Sequence, residues 1–156
     1  APLHDIGKIG IPDRILLKEG RLEETERSAM QNHVEMGGRI IDRILEDLGL
    51  RHLPDSTIMK NIVRHHHEML DGSGYPEGLR GDAIALEARI VTVADIFDAL
   101  LSARPYKAAW TFEASCDELE RLVARGKLDA ECVAALRRNE TQARAIRDRY
   151  QDPQES

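Results

Sequence analysis

Aromatic residues make up only 4% of this 156-residue chain, with two Phe, three Tyr and one Trp. That scarcity, beside 11 Gly and 6 Pro, argues against an aromatic, β-branched sandwich and for a helical domain. Cysteine is equally sparse. Cys116 and Cys132 form no CxxC pair, which excludes a disulfide framework or thiolate zinc site and fits a reducing cytoplasm. Long hydrophobic runs are missing too. The most apolar stretch, Ile84 to Leu101, is broken by Glu87, Arg89, Asp95 and Asp98, and the start has no basic export region, so a soluble cytoplasmic protein is expected. Internal repeats and low-complexity tracts are absent. There is also no surplus of positive charge: 22 Lys and Arg against 28 Asp and Glu give a net charge of −6. Polymeric nucleic acid and anionic membrane surfaces are therefore poor partners, and an anionic substrate needs a locally positive site. At 42% apolar and 32% charged, the length suits one domain with its own core. The chain lacks an initiator Met and opens on Ala1-Pro2-Leu3-His4-Asp5, so a piece of a longer polypeptide is expected.

What is present reads as an all-α domain. Gly7 and Gly10 suggest that the first segment is the end of a helix. A helix from Glu23–Thr25 to Leu48 follows, with Met30, Val34, Ile41, Ile44, Leu45 and Leu48 at helical spacing. Gly37 and Gly38 interrupt that stripe and imply close approach of another element. Asp55 or Ser56 is placed to cap a third helix reaching His67. The glycine-rich loop from Asp71 to Gly78 comes next, then a largely buried helix from Leu86 to Ala103. Thr111 is placed to cap a fifth helix ending at Gly126, and Asp129 a sixth. From Arg137 onward the chain is polar, with a seam of Ala143, Ile146 and Tyr150. That end is either a partner-facing helix or a fraying tail, and residues 137–156 are set apart from a domain at 1–136.

Several chemically capable side chains fall on inward faces. Within the third helix, Ile58, Ile62 and His66 form one apolar ridge and Met59, Val63 and His67 the next, whereas His65 continues the polar ridge of Thr57 and Asn61. Buried imidazoles need partners, because an unpaired buried polar group costs about 2–7 kcal/mol. His33 follows Met30 by three residues, and Asp95 is embedded in Val91–Asp98, which is apolar nearly all round. Singly, each has an ordinary explanation: His33 as a satisfied core histidine, Asp95 as half of a buried salt bridge with Arg89. His4 and Asp5, adjacent on a helix, project about 100° apart and can grip one metal or two adjacent ones. Together, His4, Asp5, His33, His66, His67 and Asp95 supply four imidazoles and two carboxylates. Such a set suits first-row ions such as iron, manganese or zinc, and exceeds what one closed tetrahedral site needs. Two ions about 3.5–4 Å apart share a bridging hydroxide as nucleophile in phosphodiester hydrolysis.

The motifs His4-Asp5-Ile6-Gly7-Lys8, His66-His67-Glu68 and Asp71-Gly72-Ser73-Gly74-Tyr75-Pro76-Glu77-Gly78-Leu79 resemble the signatures of HD-GYP domains, the bacterial cyclic di-GMP phosphodiesterases. The similarity continues through Arg89-Ile90-Val91, Val93 to Leu100 and Arg104-Pro105-Tyr106-Lys107 to about Leu136. The resemblance implies a helical HD-domain bundle that hydrolyses cyclic di-GMP to pGpG and often onward to GMP. It implies a centre of two or three divalent ions, iron or manganese, held by His4, Asp5, His33, His66, His67 and Asp95. Asp5 and Lys8 are the implied catalytic pair, with Lys8 near the scissile phosphate. Gly74, Tyr75, Pro76, Arg104 and Lys107 are implied substrate contacts, and Asp98 an acceptor that orients a ligand imidazole. Diguanylate cyclase (GGDEF) domains docking through the Gly74–Pro76 loop, a fused N-terminal sensor or receiver domain, and a homodimer are the implied partners. Glu19, Ala85 and Ala130 replace prolines common in relatives. The preceding helices of the family, one of which donates an acidic and a histidine metal contact, are not in this sequence, so weak metal binding and low activity are expected. A sensing or docking module without turnover is the competing reading.

Overall fold

The computed structural model describes residues 3–102 and 109–150. Among them, eight α-helices and two 3-10 turns account for the regular structure, and the one β-type pairing is an isolated bridge between Asp71 and Arg80. The domain is all-α. No helix among the described residues is long and apolar enough to cross a membrane.

The chain opens with a turn at residues 3–5 and the 3-10 turn Ile6–Gly10, then the short α1 (Asp13–Leu16). The expected single helix through residues 23–48 is instead two, α2 (Glu24–Gln31) and α3 (His33–Asp47), separated at Asn32. Glu23 and Glu26 start α2 with a reciprocal capping box. The break has a local cause. The His33 ring bonds the Met30 carbonyl at 2.7 Å, inserting a side chain into the main-chain ladder. Gly37 and Gly38, expected to interrupt the stripe, lie buried within α3. A Cβ on Gly37 would meet Val63 Cγ1 at 2.9 Å and Gly7 N at 3.4 Å, so the missing side chain admits both the 3-10 turn and the next helix.

That helix, α4 (Pro54–His65), starts two to three residues earlier than expected, with Leu53 at the cap position instead of Asp55 or Ser56 and Pro54 in its first turn. Ser56, one of the expected caps, bonds the Leu50 carbonyl instead, at 2.5 Å. α4 ends at His65, so His66 is its cap and His67 lies beyond it. After the 3-10 turn Gly81–Ala83 come α5 (Leu86–Leu101), α6 (Phe112–Ala124), α7 (Ala130–Arg138) and α8 (Glu140–Tyr150). Thr111 and Asp129 cap α6 and α7 through their side chains, as their positions imply.

Two apolar cores flank the junction of α4 and α5. Ile41, Leu45 and Val63 join α3 to α4, while Val93, Phe97, Phe112, Cys116, Leu119, Leu128 and Val133 join α5, α6 and α7. Phe97 meets Phe112 edge to face at 5.1 Å, and the Arg144 guanidinium covers the Phe112 ring at 4.1 Å. Ion pairs from Arg144 to Glu113 and Glu140 fasten α8 on that side, and Ala143 packs on the core while Ile146 is exposed. Arg89 pairs with Asp129 at 2.9 Å, not with Asp95, because the two residues meet across α5 and the start of α7. Asp95 is thereby left to face His4, whose Nε2 lies 3.5 Å from its Oδ1.

Candidate metal centre

His4 and Asp5 sit in the turn before Ile6–Gly10, and Asp5 occupies that element's cap position without spending its side chain on a cap. The expected helix end is therefore a tighter 3-10 turn, pressed against α3. Asp5 becomes the middle of the cluster. Its Oδ1 lies 3.3 Å from His33 Nε2 and 3.8 Å from His66 Nε2, and its Oδ2 lies 3.4 Å from His4 Nε2 and 2.6 Å from Lys8 Nζ. Asp95 Oδ1 reaches His4 Nε2 at 3.5 Å. The His66 and His67 rings are 4.1 Å apart, and His33 is 5.2 Å from His67. Two groups of candidate ligands result, Asp5 with His33, His66 and His67, and Asp5 with His4 and Asp95, each with its ligand atoms within 4.8 Å of one another.

The tautomers follow from the backbone. His33 Nδ1 faces the Met30 carbonyl at 2.7 Å and His66 Nδ1 faces the Ile62 carbonyl at 2.9 Å. A carbonyl only accepts, so each Nδ1 carries the proton and each Nε2 presents a bare lone pair to the cluster. These carbonyls orient the imidazoles. Asp98, expected in that role, is exposed and bonds none of the cluster imidazoles among the described residues. His33 Nε2, His66 Nε2 and Asp5 Oδ1 are buried and have no hydrogen-bond partner among the described residues. Buried polar atoms of this kind are costly unless something binds them. Lone pairs on nitrogen and oxygen, convergent and otherwise unspent, are what a divalent ion requires, so the residues fit a metal.

Charge supports the same arrangement. Burial opposes ionisation of Asp5, but its contacts with His33 and His66 and the bond from Lys8 outweigh that and hold its carboxyl far below the usual carboxylate range. Asp95 is also lowered, chiefly through His4. Burial, with the neighbouring His66 and His33 adding to it, pushes His67 down from 6.5 to about 3. A histidine lowered in the folded state stabilises the fold above its unfolded value, and that stability disappears as pH falls through the interval. The metal-free chain is thus expected to lose resistance to urea progressively from pH about 6.5 down towards 3, and a His67→Ala variant to lose less over the same range. Equal pH slopes for both would sink this assignment.

The glycine-rich loop reaches the cluster through Tyr75, whose ring stacks on His67 at 4.7 Å and 23° and whose N–H donates to the His67 carbonyl at 3.2 Å. Gly74 is required for that approach. A Cβ there would lie 2.4 Å from Met69 N and 2.5 Å from both Glu68 Cα and the His67 carbonyl oxygen. The Tyr75–Pro76 peptide is cis, and Pro76 is exposed. His65 turns away from the cluster towards Glu77, at 3.4 Å. Its replacement by Ala is expected to leave bound manganese unchanged by metal analysis, and loss of metal would overturn the assignment. Arg104 and Lys107 lie outside the described residues. Two residues given no role in the sequence reading also matter. Glu68 is 2% exposed, and Thr92 Oγ1 donates to the His66 carbonyl at 2.8 Å, tying α5 to the ligand segment. The signal for Glu68 was its place directly after His66-His67; Thr92 had none beyond being a hydroxyl in an apolar helix.

A family model described as HD domain matches residues 1–132. The chain is 49% identical over 151 residues to the cyclic di-GMP phosphodiesterase response regulator RpfG of Xanthomonas campestris pv. campestris, covering 94% of this chain and 36% of that protein. It is 44% identical to a cyclic di-GMP phosphodiesterase of Thermotoga maritima, covering 97% of this chain and 39% of that one. Identity to the 3'3'-cGAMP-specific phosphodiesterase 2 of Vibrio cholerae is 46%, over 76% of this chain and 22% of the relative. The chain thus spans well under half the length of these relatives. From the family match, the motifs and the ligand cluster, the chain belongs to the HD domain family, as a domain of the HD-GYP type.

Proposed function

We propose that this chain is a metal-dependent phosphodiesterase domain that hydrolyses cyclic di-GMP in the cytoplasm, giving pGpG and then GMP. The observation that carries this reading is Asp5, whose two oxygens serve two groups of ligands at once. In this reading His33, His66 and His67 would hold one divalent ion and His4 and Asp95 a second, with Asp5 contributing to both groups. Iron or manganese suits the nitrogen and oxygen donor set, and a third ion would need ligands beyond these six. Bound ions supply a nucleophile derived from water at neutral pH and offset negative charge on the phosphate.

The remaining tasks fall to the chain itself. Lys8 spends one ammonium proton on Asp5 Oδ2 at 2.6 Å and keeps two for the oxygens of a phosphate beside Asp5. The Tyr75 hydroxyl stays protonated, because burial and the charges of Asp95 and Asp5 raise its pKa, so it acts as a donor towards substrate. Its ring and the Gly74–Pro76 loop form one wall of the proposed pocket. Arg104 and Lys107 are proposed as further cationic contacts to phosphate and guanine. Docked diguanylate cyclase domains, a fused sensor or receiver domain and a homodimer are the proposed partners.

A mixed substrate with one adenine is the second reading, favoured by the 46% identity to a relative named for 3'3'-cGAMP. Incubating the manganese- or iron-loaded chain with each cyclic dinucleotide and chromatographing the products tests both. Cyclic di-GMP is expected to give pGpG followed by GMP at the higher rate. No hydrolysis of either nucleotide by fully loaded protein would overturn the proposal, and faster turnover of the mixed nucleotide would select the second reading.

A further inference from the structure

Glu68 follows His67 directly and is 2% exposed. Its carboxylate accepts three main-chain bonds from the loop: Oε1 from Glu77 N–H at 2.7 Å and Gly78 N–H at 3.1 Å, and Oε2 from Leu79 N–H at 3.0 Å. No Lys, Arg or His forms an ion pair with it among the described residues. The buried charge is therefore compensated by the loop's amides, and releasing the loop would strand a carboxylate away from water, which is strongly unfavourable. Four residues before Leu79, the same loop lays Tyr75 over the His67 ring and bonds the His67 carbonyl. Gly74 touches the backbone of residues 67–69 with no room for a Cβ. Both ends of the Tyr75–Leu79 segment are thus fastened to the consecutive residues His67 and Glu68.

We infer that Glu68 is a positioning residue for His67, acting through Tyr75: its carboxylate closes the loop, and the closed loop presses the Tyr75 ring against one face of the imidazole and fixes its direction. The inference rests on the reading of His67 as a metal ligand. A carboxylate is needed, because all three partners are donors arriving at both oxygens. A glutamine amide in the same place would turn its NH2 onto at least one of those N–H groups. A ligand ring left without its supporting contacts binds metal about 10–100-fold more weakly.

The test uses Glu68→Gln, Tyr75→Leu and the double variant in the whole chain, with two readouts. In the metal-free protein, the His67 ring-proton resonances carry the ring current of the stacked tyrosine. Glu68→Gln is expected to move them to the position found in Tyr75→Leu. Mn(II) titration is expected to show about 10–100-fold weaker binding in each single variant, with the double no weaker than the worse single, as two residues on one path require. Unmoved His67 resonances in Glu68→Gln, wild-type Mn(II) affinity in it, or additive losses in the double variant would each overturn the inference. Glu68→Asp, which keeps the charge but draws the oxygens back by one methylene, replaces Glu68→Gln if that chain does not fold. It is expected to shift the resonances partway, and unshifted resonances overturn the inference. Wild-type chain that binds no Mn(II) would count against His67 as a ligand, while the ring-proton comparison, which needs no metal, still decides whether Glu68 holds Tyr75 in place.

Discussion

Asp5→Ala is expected to abolish metal binding at both halves of the cluster, whereas Asp95→Ala removes one ion and keeps the other. The difference follows from sharing. Asp95 belongs to one group of candidate ligands only, together with His4, while Asp5 belongs to both. Without the Asp5 carboxylate, His33, His66 and His67 present three neutral nitrogens with no negative charge among them, and His4 and Asp95 remain as a pair. Losing a ligand exceeds the roughly 10–100-fold cost of losing a supporting contact, so affinity for Mn(II) is expected to fall by more than about 100-fold at both positions, with cyclic dinucleotide hydrolysis lost alongside. Metal content per chain after dialysis against a fixed free Mn(II) concentration reads the result. The expected ratios are two ions for the wild type, one for Asp95→Ala and none for Asp5→Ala. One ion retained in Asp5→Ala would show that the carboxylate does not bridge.

A change that touches no ligand is expected to have the largest effect on folding. In Gly7→Ala the new Cβ would lie 1.8 Å from the His33 carbonyl oxygen, 2.5 Å from Gly37 N and 2.8 Å from the His33 carbonyl carbon. All three are main-chain atoms of α3, which a rotamer change cannot move aside. Overpacking of cores costs about 1–3 kcal/mol where side chains can adjust, so about 3 kcal/mol or more is expected here. That corresponds to a fall in Tm of roughly 6–12 °C for a chain of this size. Gly10→Ala is the internal control. It lies in the same 3-10 turn, but its Cβ meets only the flexible thioether of Met36, with Sδ at 2.6 Å, and a loss under about 1 kcal/mol is expected. Because the turn carries His4 and Asp5 while α3 carries His33, Gly7→Ala is also expected to weaken Mn(II) binding, and Gly10→Ala to leave it near normal. Equal melting temperatures for the two variants would refute the close-approach argument.

The helical class, the Thr111 and Asp129 caps and the inward faces of His33, His66 and His67 were legible in the sequence, because each depends on hydrogen bonds and side-chain spacing within about four residues. The phase of the His65-His66-His67 run was readable for the same reason, although α4 stops at His65: the cap residue His66 keeps helical dihedrals, φ −67° and ψ −7°, so the ridge continues one residue past the helix. Gly37 and Gly38 announced that something must approach α3, but not what. Only the tertiary structure decided that the visitors are the Ile6–Gly10 turn and α4, that Arg89 pairs with Asp129 forty positions away rather than with Asp95, and that imidazoles are oriented by the Met30 and Ile62 carbonyls instead of Asp98. It also decided that Asp5 has one oxygen towards each ligand group and that Glu68 is sealed beneath the loop. Composition and periodicity say which side chains turn inward. Which of them meet depends on the packing of helices far apart in sequence, and that packing is set by backbone contacts at Gly7, Gly37 and Gly74, where space left by a missing side chain is filled by a segment that the local sequence does not name.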